Sequence, residues 1–559
     1  MNIYQDRLKK LREQINTHQL DVLIVTIYDE FLSEYTPIYA NRLRWLTGFT
    51  GSNGLAIITK DDSVFFTDGR YMLQAEKQLD GYKIYNMGDL SPYAWINDNF
   101  KQHIKIGFDG NLIGYKSIVR AKSIIKEGTF ININLVDQIW IDKQEKPQSK
   151  LFAHDLKYSG LDHQSKIKQI AEKLDADAYL IACPESVSWL LNIRANDIDY
   201  NPVALTRAIL YKNARVDLFT DATLENELAE VNIFPLNSFY DKLKGLDYVT
   251  DHNFANYNIV NQNDKIIKHQ ENPILIAKAC KNDIEIQGAI NAHIEDGVAL
   301  CKFLYYMAHQ NDQLSEIAIA DKLENFRKES KNYISPSFAT ICGFRENGAI
   351  IHYHASKESN KQVTKEGILL IDSGGQYPYG TTDVTRTIAI GTPTSEQKEN
   401  FTRVLKGHIA LAQAKFPVGT TGSQLDALAR YHLWQVGRDY QHGTGHGVSC
   451  FLNVHEGPQR ISKASGDSIL MPGMILSNEP GYYKQNEYGI RIENLMIVRQ
   501  DIDYLYFETI TLAPIDCNLI DNSLLDRSEI DWLKSYHQKI ITKLSTYLDE
   551  SVVKWLQSL

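Results

Sequence analysis

Apolar and polar positions change rhythm along this chain, and the changes predict three kinds of segment. Near the start a charged amphipathic stretch, read as a helix, gives way to the apolar run Val22 to Tyr28, which reads as a buried strand. Trp45-Leu46-Thr47-Gly48 follows, then paired strands ending at Phe66-Thr67-Asp68. The succession returns after Tyr158-Ser159-Gly160: a helix, the strand Ala178 to Ala182, Trp189-Leu190-Leu191-Asn192, and strands ending at Phe219-Thr220-Asp221. Such a recurrence predicts a duplicated α/β domain with altered loop lengths. From about Pro273 the rhythm becomes that of long amphipathic helices, Asp283 to His309 and Ser315 to Ser330, followed by strand pairs rich in Gly, Thr and Asp. In the tail, Trp532, Leu533, Tyr536, Ile540, Leu544, Leu548, Val552 and Trp555 recur at spacings near three and four, which predicts helix from Ser528 to Leu556. Its polar face is mixed in charge, so the tail is expected to pack on the body or on a second subunit rather than on a membrane. The expected division is 1–158, 159–272 and 273–559, the last carrying an extension from about residue 500.

Length and composition narrow the setting. At 559 residues the chain exceeds what one hydrophobic core serves, so several domains are expected. A net charge of −10, with no basic stripe, argues against nucleic acid as a partner. The N-terminal residues 1–14 lack the apolar core and cleavage site of a secretory leader, and the longest apolar runs are too short to span a bilayer. The six cysteines (Cys183, Cys280, Cys301, Cys342, Cys450 and Cys517) form no C-x-x-C pair, which suits buried thiols in a reducing compartment. The expected location is the cytoplasm.

The chemistry concentrates in the last domain. Gly367 to Asp372 is an apolar strand ending in an acid, and a second strand-like run opens at Asp383 beyond the turn-forming Tyr377-Pro378-Tyr379-Gly380. A hairpin turning near Tyr377 and Pro378 makes Asp372 and Asp383 cross-strand neighbours, which like charges tolerate only with a cation between them. Downstream, Met474 to Glu479 and Gly489 to Asn494 flank a turn centred near Asn486, which sets Glu479 opposite Glu493. Between these hairpins lies Gln441-His442-Gly443-Thr444-Gly445-His446-Gly447, where glycines permit close backbone approach and either histidine can ligate a metal. An acid ending a strand is usually a turn cap; four in paired hairpins around a histidine outline a dinuclear centre, their charges balancing two divalent cations. The two histidines lack the Glu of H-E-x-x-H, and the glycines lack the order of a dinucleotide loop. Carboxylate-rich ligation suits Mn²⁺ and is compatible with Co²⁺ or Zn²⁺.

The order Asp, Asp, His, Glu, Glu, with the aspartates eleven and the glutamates fourteen positions apart, resembles the creatinase and methionine aminopeptidase superfamily. Asp372-Ser373-Gly374, Thr381 to Thr387, His442 to Gly447, Asn453 to Pro458, Glu479 to Tyr483 and Arg491 to Asn494 resemble the motifs of its long, three-domain Xaa-Pro aminopeptidases. The resemblance implies an α/β (α+β) chain: two creatinase-like N-terminal domains, then a pita-bread catalytic domain with a C-terminal helical extension. It implies two metal ions held by Asp372, Asp383, His446, Glu479 and Glu493, with Asp372 on one ion, His446 and Glu479 on the other, and Asp383 and Glu493 bridging. His352, His442 and His455 would steady the scissile carbonyl, Glu479 would shuttle a proton, and Arg491 would orient a bridging carboxylate. The implied reaction is release of the N-terminal residue from peptides with proline second, by attack of a metal-bridging hydroxide, in a homodimer. A prolidase acting on Xaa-Pro dipeptides is the nearest alternative, and the duplicated N-terminal half speaks against it. A non-catalytic peptide-binding relative would have lost ligands that are all present here, and a creatinase-type amidinohydrolase works without these metals. Three positions depart from the family pattern: Ser449 and Cys450, where Gly and Ser are usual, and His354, where Ala is common.

Overall fold

The computed structural model describes residues 2–224, 228–262, 265–310, 312–364, 366–463 and 468–559. Contacts divide the chain into two units, residues 1–153 with 161–274, and residues 154–160 with 275–559.

The first unit contains two six-stranded sheets of the same design. In the first, Val22–Thr26, Leu55–Thr59, Ser63–Thr67, Lys83–Asn86, Ile104–Phe108 and Gly128–Asn132 stand in the order 4-3-2-1-5-6. Ala178–Ile181, Arg207–Tyr211, Val216–Phe219, Val231–Phe234, Val249–Thr250 and Lys268–His269 repeat that order in the second. The pairing directions repeat as well: strands 1, 2 and 3 are antiparallel in turn, and the remaining neighbours are parallel. The duplicated-domain expectation therefore extends to topology. Even the Trp-Leu signatures do the same work. Each closes a helix, Arg42–Thr47 or Pro184–Leu191, and is followed by a left-handed residue, Gly48 (φ 84°) or Asn192 (φ 51°).

The second unit is built from two similar halves. In each, a helix pair precedes a carboxylate-bearing hairpin: Asp283–His309 and Glu316–Arg327 before the first, Ser395–Ala412 and Gly422–Trp434 before the second. Reciprocal capping boxes, Asn282 with Glu285, Thr394 with Gln397 and Thr421 with Gln424, start three of these helices where the chain turns in from loops. Leu300, Phe303, Leu304, Ile319 and Leu323 of the first pair bury against Phe344, Leu369, Ile371 and Val384 of the first sheet. Leu411 and Ala429 of the second pair bury against Leu476, Met496, Val498 and Leu505. The central sheet of this half runs Lys415–Pro417, Tyr504–Thr509, Asn494–Asp501, Ile475–Asn478, Gly445–Gly447, Glu456–Ile461.

Two expectations need correction. The tail is not one helix: Arg527–Leu544 ends in a 3₁₀ turn, Ser545–Tyr547, and a second helix restarts at Glu550 behind Asp549. The apolar spacing survives the break because Leu533, Tyr536, Ile540, Leu544, Val552 and Leu556 all enter one core cluster. In the first hairpin, Asp372 pairs with Thr385, not with Asp383. The turn is centred between Pro378 and Tyr379, one residue later than expected, which moves every cross-strand partner by two. The second hairpin keeps its expected register: Asn478 faces Asn494, Gly481 faces Arg491, and Asn486 takes the left-handed turn position (φ 62°). None of the six cysteines is in a disulfide, and four of them are buried; among the described residues no helix is long and apolar enough to cross a membrane.

Candidate active site

The first hairpin delivers Asp372 at the end of Gly367–Ser373 and Asp383 at the start of Val384–Ile390. Between them the strands close to a spacing only glycine permits: a Cβ on Gly374 would lie 1.9 Å from the carbonyl oxygen of Thr382 and 2.1 Å from Ser337 Oγ. The second hairpin delivers Glu479 and Glu493 from just beyond the Asn478–Asn494 pair. The strand Gly445–Gly447 carries His446 between Ile475–Asn478 and Glu456–Ile461, and a Cβ on Gly445 would meet Ser477 O at 2.0 Å. That squeeze brings the imidazole onto the carboxylates.

Ligand atoms of Asp383, His446 and Glu493 lie within 4.8 Å of one another. His446 Nε2 is 3.3 Å from Asp383 Oδ2 and 3.6 Å from Glu479 Oε1. Its Nδ1 is 2.9 Å from Gly447 O, an obligate acceptor, so Nδ1 carries the hydrogen and Nε2 is turned to the carboxylates. Ser477 Oγ donates to Glu479 Oε1 (3.1 Å) and accepts from His446 N (2.9 Å), tying the two together. Arg491 pairs directly with Asp372 (Nη2 to Oδ2, 2.7 Å). Its hydrogen-bonded path to Glu493 runs through Thr385, whose Oγ1 accepts from Arg491 Nε (3.0 Å) and donates to Glu493 Oε2 (2.7 Å).

The other histidines are distributed around this centre. The His455 ring stands edge-on to His446 at 4.3 Å between centroids. His442 Nδ1 lies 2.8 Å from Gly443 O and 3.8 Å from Glu479 Oε2, while its Nε2 is 2.9 Å from Tyr483 OH. Tyr483 OH also accepts from Arg491 Nη1 at 2.6 Å. His352 follows Ile351, whose carbonyl accepts from the same nitrogen at 3.4 Å.

The electrostatics of the protein atoms alone are strained in one direction. Burial first, then the charges of Asp383 and Glu479, push the Asp372 carboxyl up to about 7 despite Arg491. Burial likewise raises Glu479, and burial with Asp383, Asp372 and Glu479 raises Glu493 well above the carboxylate range. Burial works against the charged form of His446, yet Asp383 and Glu479 lift it to about 9. The charged imidazole thus supplies positive charge to carboxylates that crowd one another. Asp372 Oδ1 is fully buried with no hydrogen-bond partner among the described residues. An orphaned carboxylate oxygen, crowded acids and one imidazole are a donor set that fits divalent cations.

Sequence reasoning gave no role to Ser477, Tyr483 or Thr385. Thr385 was readable from strand alternation, since it stands two residues beyond Asp383 and so shares its face. Ser477 and Tyr483 act through atoms placed by tertiary packing, for which the sequence offers only their proximity to Glu479.

Comparisons with known proteins place the whole chain in a family. Residues 277–500 match the model of metallopeptidase family M24 and residues 503–558 its C-terminal region. Residues 7–139 and 142–285 each match a creatinase/prolidase N-terminal domain. The chain is 40% identical to a probable Xaa-Pro aminopeptidase P of Laccaria bicolor, across 99% of this chain and 92% of that one. It is 38% identical to aminopeptidase P2 of Arabidopsis thaliana, across 96% and 85%. The crystal structure of the X-prolyl aminopeptidase of Caenorhabditis elegans, described as a cytosolic enzyme with a di-nuclear active site, superposes with a TM-score of 0.93 at 31% identity, covering 100% of this chain and 99% of that one. The chain therefore belongs to metallopeptidase family M24, and within it to the Xaa-Pro aminopeptidases that carry two creatinase-type domains ahead of the catalytic one.

Proposed function

We propose that this protein is a metal-dependent aminopeptidase that releases the N-terminal residue from peptides with proline in the second position. The observation that carries the reading is the gathering of Asp383, His446 and Glu493 within 4.8 Å beside the orphaned oxygen of Asp372. Asp372, Asp383, His446, Glu479 and Glu493 would hold two divalent ions, for which Mn²⁺ is the preferred identity. Bound there, such ions lower the pKa of water toward neutrality and polarise a carbonyl.

The chain's own residues supply the rest. Arg491 fixes Asp372 directly and Glu493 through Thr385, so neither carboxylate is free to swing when substrate enters. Glu479, whose Oε2 lies 3.8 Å from His442 Nδ1, would take a proton from the attacking water and pass it to the departing proline nitrogen. His442, His455 and His352 would steady the scissile carbonyl and the tetrahedral intermediate. The amide before proline has no N–H, which removes a contact most peptidase sites exploit, so a dedicated site is physically reasonable. We further propose the division 1–158, 159–272 and 273–559, a cytoplasmic location and a homodimeric state. The repeated strand order supports the first, and six scattered cysteines that are not disulfide-bonded support the second.

The test is mass-spectrometric product analysis of metal-stripped protein with Arg-Pro-Pro and with Gly-Pro, each with and without Mn²⁺. Manganese-dependent release of arginine from the tripeptide, with the dipeptide left largely intact, is the expected result. Preferential cleavage of the dipeptide would replace the reading with a prolidase, and no cleavage with any divalent metal would replace it with a peptide-binding module.

A further inference from the structure

The segment from Asp439 to Thr444 carries His442 and leads into His446, yet it contains no helix or strand of its own. Loops hold catalytic groups to within fractions of an ångström only when other elements fix their backbone. Here one side chain does most of that fixing. Arg430, on the last turns of the helix Gly422–Trp434, is only 1% exposed and spends its guanidinium on this loop. Its Nη1 donates to Tyr440 O and to Asp439 Oδ1, both at 2.8 Å, and its Nη2 donates to His442 O at 2.8 Å. The guanidinium also lies over the Tyr440 ring, 3.8 Å from its centroid. Nε donates to Asp426 Oδ2 at 2.6 Å, one turn back on the same helix.

Asp426 extends the grip. Its Oδ1 accepts from Thr444 Oγ1 at 2.6 Å, and Thr444 Oγ1 is 2.5 Å from Tyr440 OH. The carbonyl of Thr444 in turn accepts from Glu479 N at 2.8 Å. A path of direct bonds therefore runs from one helix face to the backbone of His442 on one side and to the backbone of Glu479 on the other. His442 Nδ1 and Glu479 Oε2 stand 3.8 Å apart at the meeting point.

We infer that Arg430 is a positioning residue for the reaction: through the carbonyls of Tyr440 and His442, and through Asp426 and Thr444, it sets the distance between His442 and Glu479. The inference rests on the aminopeptidase reading for what that distance does, but not for the existence of the clamp. An arginine paired with a single carboxylate could give way to lysine with the charge kept. This one uses the planar fork at four acceptors, Asp426, Asp439, Tyr440 O and His442 O, and a lysine ammonium cannot span them.

The experiment compares the metal-loaded wild-type enzyme with Arg430→Lys and Thr444→Val. Three quantities are read: kcat and KM on Arg-Pro-Pro, bound metal per chain, and amide hydrogen exchange by peptide. For Arg430→Lys the expected result is a kcat lower by about 30-fold or more, KM within about threefold, full metal content, and faster exchange confined to peptides covering 439–446. Wild-type kcat, a loss expressed only in KM, or unchanged exchange over 439–446 would each overturn the inference. Exchange tests the clamp even if wild type fails to cleave the peptide, so failure of the aminopeptidase reading remains distinguishable. Should Arg430→Lys loosen the whole domain, Thr444→Val decides, because it cuts the Asp426 branch and leaves the arginine in place. A kcat loss of about tenfold with ordinary stability supports the inference, and an unaltered kcat overturns it.

Discussion

Removing the carboxylate of Asp372, one of the proposed metal ligands, from the metal-free protein should make it more stable. Without cations the site holds buried like charges, and the Asp372 carboxyl is pushed up to about 7 from 3.8, chiefly by burial and then by Asp383 and Glu479. Because the folded value lies above the unfolded one, the folded metal-free chain binds more protons than the unfolded chain between about pH 4 and pH 7. Its stability is fully present below that window, falls as pH rises through it, and levels off above. A displacement of that size is worth about 4 kcal/mol at pH 8 and between about 1 and 2 kcal/mol at pH 5. Asp372→Asn mimics the protonated form at all pH values, and its value is already net of the pull from Arg491. In urea unfolding with a strong chelator present, the variant should exceed wild type by about 2–4 kcal/mol at pH 8 and by only about 1 kcal/mol at pH 5. With saturating Mn²⁺ the order should reverse if Asp372 is a ligand as proposed, because only wild type then retains the full set and gains stability from bound metal. No gain at pH 8 without metal, or the same gain at both pH values, would refute the crowding argument.

Three other perturbations follow from the same geometry. Gly374→Ala places a Cβ 1.9 Å from Thr382 O, so the hairpin must open between Asp372 and Asp383, the proposed ligands; a loss of about 3 kcal/mol in denaturant unfolding and depleted metal content by elemental analysis are expected. Glu456→Gln leaves the buried ammonium groups of Lys278 and Lys281 without their shared carboxylate, at a cost of about 3–5 kcal/mol, whereas exchanging all three residues for methionine should cost far less; thermal melts of both variants check the difference. Burial, followed by the charge of Arg386, holds His537 down to about 4. The unfolded chain therefore binds the extra proton between about pH 6.5 and pH 4, and stability drops as pH falls through that range. His537→Gln should remove about 3 kcal/mol of the acid-side loss in unfolding titrations.

Much of the fold could be read because its signals are local. The helix Asp283–His309 begins and ends where its periodicity does, behind a capping box written within four residues. The duplicated half was visible in a short signature, Trp-Leu before a left-handed residue, that does the same work at Gly48 and Asn192. The second carboxylate hairpin was legible to the register, since its turn needs only a residue tolerant of positive φ, and Asn486 is one. The break between Leu544 and Glu550 was not legible from spacing alone, because both helices feed the same core and so keep the same apolar rhythm.

The first hairpin shows what sequence patterning leaves undetermined and why the site survived the error. Its turn is seated by a helix about eighty residues upstream: Tyr377 OH donates to Asp296 Oδ1 at 3.0 Å, Tyr379 OH to Glu295, and a Cβ on Gly288 would lie 2.4 Å from Tyr379 O. Nothing near Pro378 announces those contacts, so the turn centre could not be fixed from the turn residues. The resulting shift moves the partner of Asp372 from Asp383 to Thr385, a slip of two. Side chains alternate with period two, so a slip of one would have thrown Asp372 and Asp383 to opposite faces, whereas a slip of two keeps them on the same face. The face constraint, not the pairing, determines which residues can share a cation. The proposed ligand set is therefore legible from alternation and composition, while Thr385, which ties Arg491 to Glu493, and Arg430, whose guanidinium holds the loop that carries His442, emerge only when the distant elements are brought together.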